Sequence, residues 1–264
     1  MAIEASRQLA GEEKITGFRL RKVNIRRALI IPDTKEGIEV SLAMATVEDS
    51  ASSRTWRRFQ ITSYNASSDE WTEHCTGHIT VDHETASDPV DNGREAEEES
   101  RAWGSEHFRA NETCTKSMAF KSTYNNLQTS GLNFGPLFRN LADVRASGCG
   151  LGKVVGSVTV PDIAQSMPKQ YLHSHLIHPA TMDSMIHLMI AAVLDFTGKS
   201  TLDQIRLPTF IRDVWVSADL NSAPTHKFTG HASVSTAESD KFEGQIQMLD
   251  EGTNRHRIRM DGIE

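Results

Sequence analysis

The 264-residue chain is 38% hydrophobic and 24% charged, the balance of an ordinary globular protein and enough for one large two-lobed unit. Its net charge of -7 argues against nucleic-acid binding, and no run approaches the roughly 20 apolar residues needed to cross a bilayer. Three cysteines (Cys75, Cys114, Cys149), far apart and odd in number, suit a reducing compartment, and Met1-Ala2-Ile3-Glu4-Ala5 opens no signal peptide, so a cytoplasmic location is expected.

Residues 2–10 read as a short helix with Gly11 as its stop. Short β-type runs follow over 18–31, 37–47, 55–64 and 71–81, the last two forming a hairpin through residues 65–69. One helix followed by antiparallel strands is an α+β pattern. Residues 82–112 carry ten acidic side chains against three basic ones and little hydrophobic periodicity. They read as an exposed connection, helical at most around residues 95–102. The predicted organisation is therefore an N-terminal lobe over 1–81, an acidic linker over 82–115 and a C-terminal lobe over 116–264.

The second unit repeats the first in outline. A helix is predicted over 116–130, a tight turn over 131–136, and strands over 141–146 and 153–160. The clearest helix is 179–196, whose Met182, Met185, Ile186, Met189, Ile190, Val193 and Leu194 form a stripe of period 3.6 behind Pro179 in the first turn. Strands resume over 210–218, 227–235, 242–249 and 255–263. In the third of these Phe242, Gly244, Ile246 and Met248 alternate with polar neighbours, which buries one face.

Four stretches together resemble the dehydratase domains of polyketide synthases, closest to the fungal highly reducing type. Tyr124-Asn-Asn-Leu-Gln-Thr-Ser-Gly-Leu-Asn-Phe-Gly-Pro-Leu-Phe138 is similar to the family's Y-x(6)-G-x-x-(Y/F)-G-P-x-F element. His178-Pro-Ala-Thr-Met-Asp-Ser-Met-Ile-His187 resembles H-P-A-x-(L/M)-D-x-x-x-(Q/H), which holds the family's catalytic aspartate. Leu207-Pro-Thr-Phe-Ile211 and Trp71-Thr-Glu-His-Cys-Thr-Gly77 resemble two further family strands. The resemblance implies a double hotdog: two lobes, each an antiparallel sheet wrapped round a central helix, with the first lobe incomplete. It implies elimination of water from a β-hydroxyacyl thioester carried on the phosphopantetheine of an acyl carrier protein, with no cofactor or metal of the domain's own. Implied partners are that carrier protein, the other domains of a synthase and a second copy in a homodimer. The family's catalytic base is a histidine in an H-x-x-x-G-x-x-x-x-P motif ahead of the first central helix. No histidine precedes His74 here, so by this alignment the base is absent and the chain is an N-terminally truncated, inactive fragment. A non-catalytic pseudo-dehydratase lobe and a product-template-like cyclase are the alternative functions.

Elimination needs a base for the α-proton and an acid for the departing hydroxyl. Asp183 is the candidate acid. It falls about 80° from the centre of the apolar stripe, counting 100° per residue, and there Met182 and Met185 should desolvate it and keep it protonated. An ordinary exposed aspartate near a helix N-terminus is the competing reading. His187, one turn on, either orients Asp183 and meets the substrate or is a plain helix-flank histidine. By family position Tyr124, Phe134, Gly135, Pro136, His178, Pro179 and Pro208 shape the substrate site, although Gly135-Pro136 also fits a plain turn. His173 and His175, two apart, would share a face of a strand near His178, as in many zinc sites, but their neighbours supply no carboxylate or thiolate, so no metal site is expected. His74 and His78 are predicted on one strand face with Cys75 opposite. Arg19, Arg21, Lys22, Arg26 and Arg27 form either a carrier-docking patch or, more in keeping with a strand, a solvated face.

Overall fold

The computed structural model describes residues 1–11, 13–47, 55–66, 68–84, 94–129, 131–148, 150–202, 204, 206–238 and 241–264. The first half forms α1 (Ala2–Leu9), β1 (Ile15–Ile25), β2 (Glu39–Val47), β3 (Trp56–Asn65) and β4 (Glu70–His83). Next come α2 (Arg94–Thr113), β5 (Lys116–Ser117), α3 (Phe120–Thr129), β6 (Leu141–Ala146) and β7 (Lys153–Thr159). The chain ends with α4 (Pro179–Thr197), β8 (Phe210–Ser217), β9 (Lys227–Glu238), β10 (Lys241–Asp250) and β11 (His256–Ile263). Among the described residues the strands form one antiparallel sheet of order β2-β3-β4-β1-β8-β11-β10-β9-β7-β6-β5. The two halves meet at the β1–β8 ladder, where Phe18 pairs with Val216 and Leu20 with Val214. This is the α+β double hotdog, with the second lobe wrapped round α4 and α1 packed on β4 of the first.

α4 forms where its pattern predicts. His178 caps the start, with Nδ1 accepting from the Ala180 N–H at 3.1 Å, and Pro179 takes the first helical position. Gly198 ends it in the left-handed conformation at φ 65°. Met185, Leu188, Ala191 and Ala192 are fully buried against the inner face of the sheet. That face follows the strand period of two: Ala232 and Val234 of β9, Ile246 and Met248 of β10, Ile258 and Met260 of β11. Gly156 lets the helix approach, since a Cβ there would sit 2.9 Å from Leu188 Cδ2.

The outer face is covered where an exposed linker was expected. Residues 85–93 lie outside the described residues, but Arg94–Thr113 is a 20-residue helix lying on β7, β9 and β11. Trp103, His107, Ala110 and Cys114 recur at steps of four, three and four and face the sheet. Trp103 packs on Trp215 and His256, and Ala110 and Cys114 cluster with Val155. The many acidic residues of the segment hide this stripe from a reading by composition.

Smaller differences share a cause in hydrogen-bond pairing. β1 stops at Ile25, not residue 31, because its partners run out: Ile25 N–H bonds to Thr209 and Arg26 N–H to His74 before the chain turns outward, leaving Ile30 and Ile31 exposed. The helix predicted over 116–130 starts at Phe120, because Lys116 and Ser117 pair with Ala146 and Arg145. His173 and His175 lie in a loop. His74 and His78 do not share a face as expected. A register break between the Ile61–Cys75 and Thr62–Glu73 pairs leaves His74 as the extra residue. It is buried, with Nε2 2.7 Å from Ser63 Oγ and Nδ1 donating to the Arg27 carbonyl at 3.1 Å. The basic cluster is largely engaged: Arg19 pairs with Asp82, Arg26 with Glu73, and Arg21 stacks 3.9 Å over Trp56.

Candidate active site

One side of α4 borders a cavity of about 340 Å³. Asp183, Ile186, His187, Met189, Ile190 and Val193 line it from the helix, Leu132 and Phe134 from the turn after α3, and Leu207, Pro208 and Thr209 from the run before β8. The wall is mostly apolar, with Arg206, Lys241 and Glu264 as further charged residues. A helix presents residues four apart on one face, so Asp183 and His187 enter the cavity together.

His187 is fully buried and tightly held. Phe134 packs against its ring at 4.2 Å between centroids, and Tyr124 stands edge-on at 5.5 Å. The Tyr124 oxygen is 3.0 Å from His187 Nδ1. Burial pushes the Tyr124 phenol well above its usual range, so it keeps its proton, while the backbone of Leu141 hydrogen-bonds to the oxygen. A phenol hydrogen given to Nδ1 would leave the ring's own hydrogen on Nε2, the nitrogen on the Asp183 side. Nε2 lies 3.1 Å from Asp183 Oδ2 but off the hydrogen-bond axis, so this is a close polar contact and not a formed bond. The Asp183 side chain is 37% exposed, more open than the sequence reading expects. The cavity mouth admits solvent to the carboxyl, although the helix beneath it is buried.

The structure thus brings Asp183, His187, Phe134 and Pro208 to one cavity and sets Tyr124 directly behind His187. Other candidates lie elsewhere. Gly135 begins the single 3₁₀ turn Pro136–Phe138 with negative φ, a Cβ on it would meet nothing within 4 Å, and neither it nor Pro136 lines the cavity. This is turn geometry. His178 and Pro179 start α4, and His178 borders a separate cavity of about 50 Å³ beside His175 and Thr181. Burial, with His175 adding to it, lowers the His178 pKa, which suits a neutral ring accepting a cap bond. No group of three or more His, Cys, Asp or Glu is arranged to hold a metal among the described residues.

Sequence reasoning missed the groups that brace the site. Ser184 donates within α4 to Ala180 and lies 3.1 Å from the Phe138 carbonyl, while Asn140 donates to Ser184 Oγ at 3.1 Å. Arg139 Nε donates to the Phe134 carbonyl at 2.7 Å. Together they tie the turn that carries Phe134 to the helix that carries His187. Asn140 and Ser184 are 44 residues apart, and no local pattern signals such a pair.

The family described as PS-DH, polyketide synthase dehydratase N-terminal domain, matches residues 104–264. Among curated proteins, highly reducing polyketide synthase tazB of Aspergillus terreus is 34% identical over 98% of this chain, and highly reducing polyketide synthase 40 of Fusarium mangiferae is 35% identical over 92%. The chain spans about a tenth of the length of each (10%). Among solved structures, the dehydratase domain from the CurF module of curacin polyketide synthase superposes with a TM-score of 0.66 at 17% identity, over 100% of this chain and 80% of that one. The dehydratase domain of RzxB from Pseudomonas fluorescens gives 0.67 at 13% identity, over 98% and 79%. At those identities the structural likeness carries the fold, and the family match carries the assignment: this chain belongs to the polyketide synthase dehydratase family.

Proposed function

We propose that this domain takes part in eliminating water from a carrier-bound β-hydroxyacyl thioester, with Asp183 giving the proton to the departing hydroxyl. The observation that carries the reading is the Asp183 carboxyl and the His187 imidazole placed side by side on the wall of a mostly apolar cavity of about 340 Å³. Phe134 and Pro208 would hold that chain, and Tyr124, through His187, would hold the Asp183 carboxyl in line. A bound acyl chain would replace the water over the carboxyl, and desolvation favours the protonated form that can act as an acid. The contact between His187 and Asp183, close but misaligned, is of the kind that tightens in a reactive complex. An acyl carrier protein would deliver the substrate on its phosphopantetheine arm, and the reaction calls for no further cofactor. A cytoplasmic synthase, assembled as a dimer with its other domains, is the setting we infer.

A second reading has its own support. His187 is the one imidazole on the cavity among the described residues, and its nitrogens face Tyr124 and Asp183. That leaves no imidazole free to take the α-proton, so the 264-residue chain by itself would be a binding lobe without turnover. Both readings are tested with a β-hydroxyacyl-pantetheine surrogate, following enoyl product by mass and absorbance. The 264-residue chain should give none, and a synthase carrying this domain should give product that disappears in Asp183→Asn. Turnover by the chain alone would place the base within it, and turnover by the Asp183→Asn synthase would remove Asp183 from the chemistry.

A further inference from the structure

A second cavity, of about 240 Å³, lies on the opposite side of the sheet from the first, between α2 and strands β7, β9 and β10. Its lining includes Arg109 from the helix and Lys153, His231, Ser233 and Gln245 from the strands. His231 is 5% exposed. Its Nδ1 is 3.4 Å from Nδ1 of His107, whose Nε2 is 2.8 Å from Asn111 Nδ2. The direction of every bond in this chain is fixed from one end. Arg145 can only donate, and its Nη2 lies 2.8 Å from Asn111 Oδ1. The Asn111 amide therefore turns its N–H to His107 Nε2, and His107 must carry its hydrogen on Nδ1 and give it to Nδ1 of His231. His231 is left with its hydrogen on Nε2, for which the described residues offer no acceptor.

We propose that this cavity is a binding site for a small oxyanion, a phosphate or a carboxylate, held by the Nε2–H of the buried His231 side chain, which opens onto the cavity, and by the Lys153 and Arg109 cations at its rim. Neither side chain takes part in an ion pair among the described residues, and both are exposed. Glu106, the one carboxylate on the lining, is turned toward Arg259 at 3.7 Å. The electrostatic setting agrees: burial first, then His107, Arg259, His256 and Lys153, push the His231 pKa down to about 3. Those same positive or protonatable groups would attract an anion. Ser233, Thr113 and Gln245 add neutral polar groups, and the volume leaves room for waters beside the ion, at roughly 30 Å³ each. An anion here would bridge α2 to the sheet and stabilise the helix on it.

The test is a titration of the 264-residue chain with inorganic phosphate, sulfate and acetate at constant ionic strength, with sodium chloride as the reference. Binding is read by calorimetry and by the ¹⁵N resonance of His231 Nε2. Saturable binding that moves this resonance is expected, and it should weaken about tenfold in each of the rim variants Lys153→Ala and Arg109→Ala, which change exposed side chains. Binding of phosphate and sulfate without acetate would identify a doubly charged ligand, whereas acetate binding would identify a carboxylate; either supports the site. No saturable binding beyond the chloride reference, a His231 resonance that stays still, or rim variants that bind as well as the parent would each overturn it.

Discussion

The Tyr124 hydroxyl oxygen lies 3.0 Å from Nδ1 of His187, and both groups are buried. A phenol that donates across this contact would hold the hydrogen of His187 on Nε2, beside Asp183. The Tyr124→Phe variant keeps the ring and its packing on Phe120 and Phe134 but strips Nδ1 of its partner. It should lose about 1–3 kcal/mol of stability, the cost of an unsatisfied buried acceptor. Because the tautomer would no longer be locked, elimination by a synthase carrying this domain should also fall. ¹⁵N spectra showing a mixture of His187 tautomers would confirm the link, and an unchanged tautomer would break it.

Asp183→Asn should leave the fold intact, since the side chain is 37% exposed and forms no aligned hydrogen bond. Dehydration should fall by at least about a hundredfold, the typical contribution of a general acid. A melting temperature close to the parent's, together with lost product, separates this chemical role from a structural one.

Stability should depend on pH through the buried histidine pair. His231 ionises at about 3 when folded and near 6.5 when free, so between those values the unfolded chain binds more protons. Its contribution is complete above about pH 6.5 and is lost as the pH falls toward 3, at no more than about 1.4 kcal/mol per pH unit. His107, also lowered by burial, acts in the same direction. Urea unfolding at pH 7 and pH 5 should show this slope, and it should flatten in His231→Phe. An equal slope in that variant would assign it to other groups.

Leu188 is fully buried between α4 and the sheet, facing Gly156. Leu188→Ala should cost about 2–5 kcal/mol, the range for truncating a core leucine in a site that cannot collapse. Denaturant unfolding measures this directly. A loss below 1 kcal/mol would mean the helix repacks onto β7.

Much of the second lobe can be read from local pattern. The 3.6-residue stripe of α4 and Pro179 in its first turn lie within one element, and the two-residue alternation of β10 marks the face it turns to the core, although Gln247, Leu249 and Asp250 on its other side are buried as well. The first lobe is less legible at its ends, because β1 stops where cross-strand partners stop and no residue in the run itself records that. α2 is the clearest omission. Trp103, His107, Ala110 and Cys114 carry a helical period, but the acidic composition around them reads as solvent-exposed chain.

Spacing along the chain was enough to determine α4 and to put Asp183 and His187 on one face of it, since residues four apart in a helix must be neighbours. Only the tertiary structure could decide what those groups meet. Tyr124 is 63 residues from His187, and His107 is 124 residues from His231. The direction of a hydrogen bond between such distant partners depends on how separate elements pack, and that information lies in no single segment.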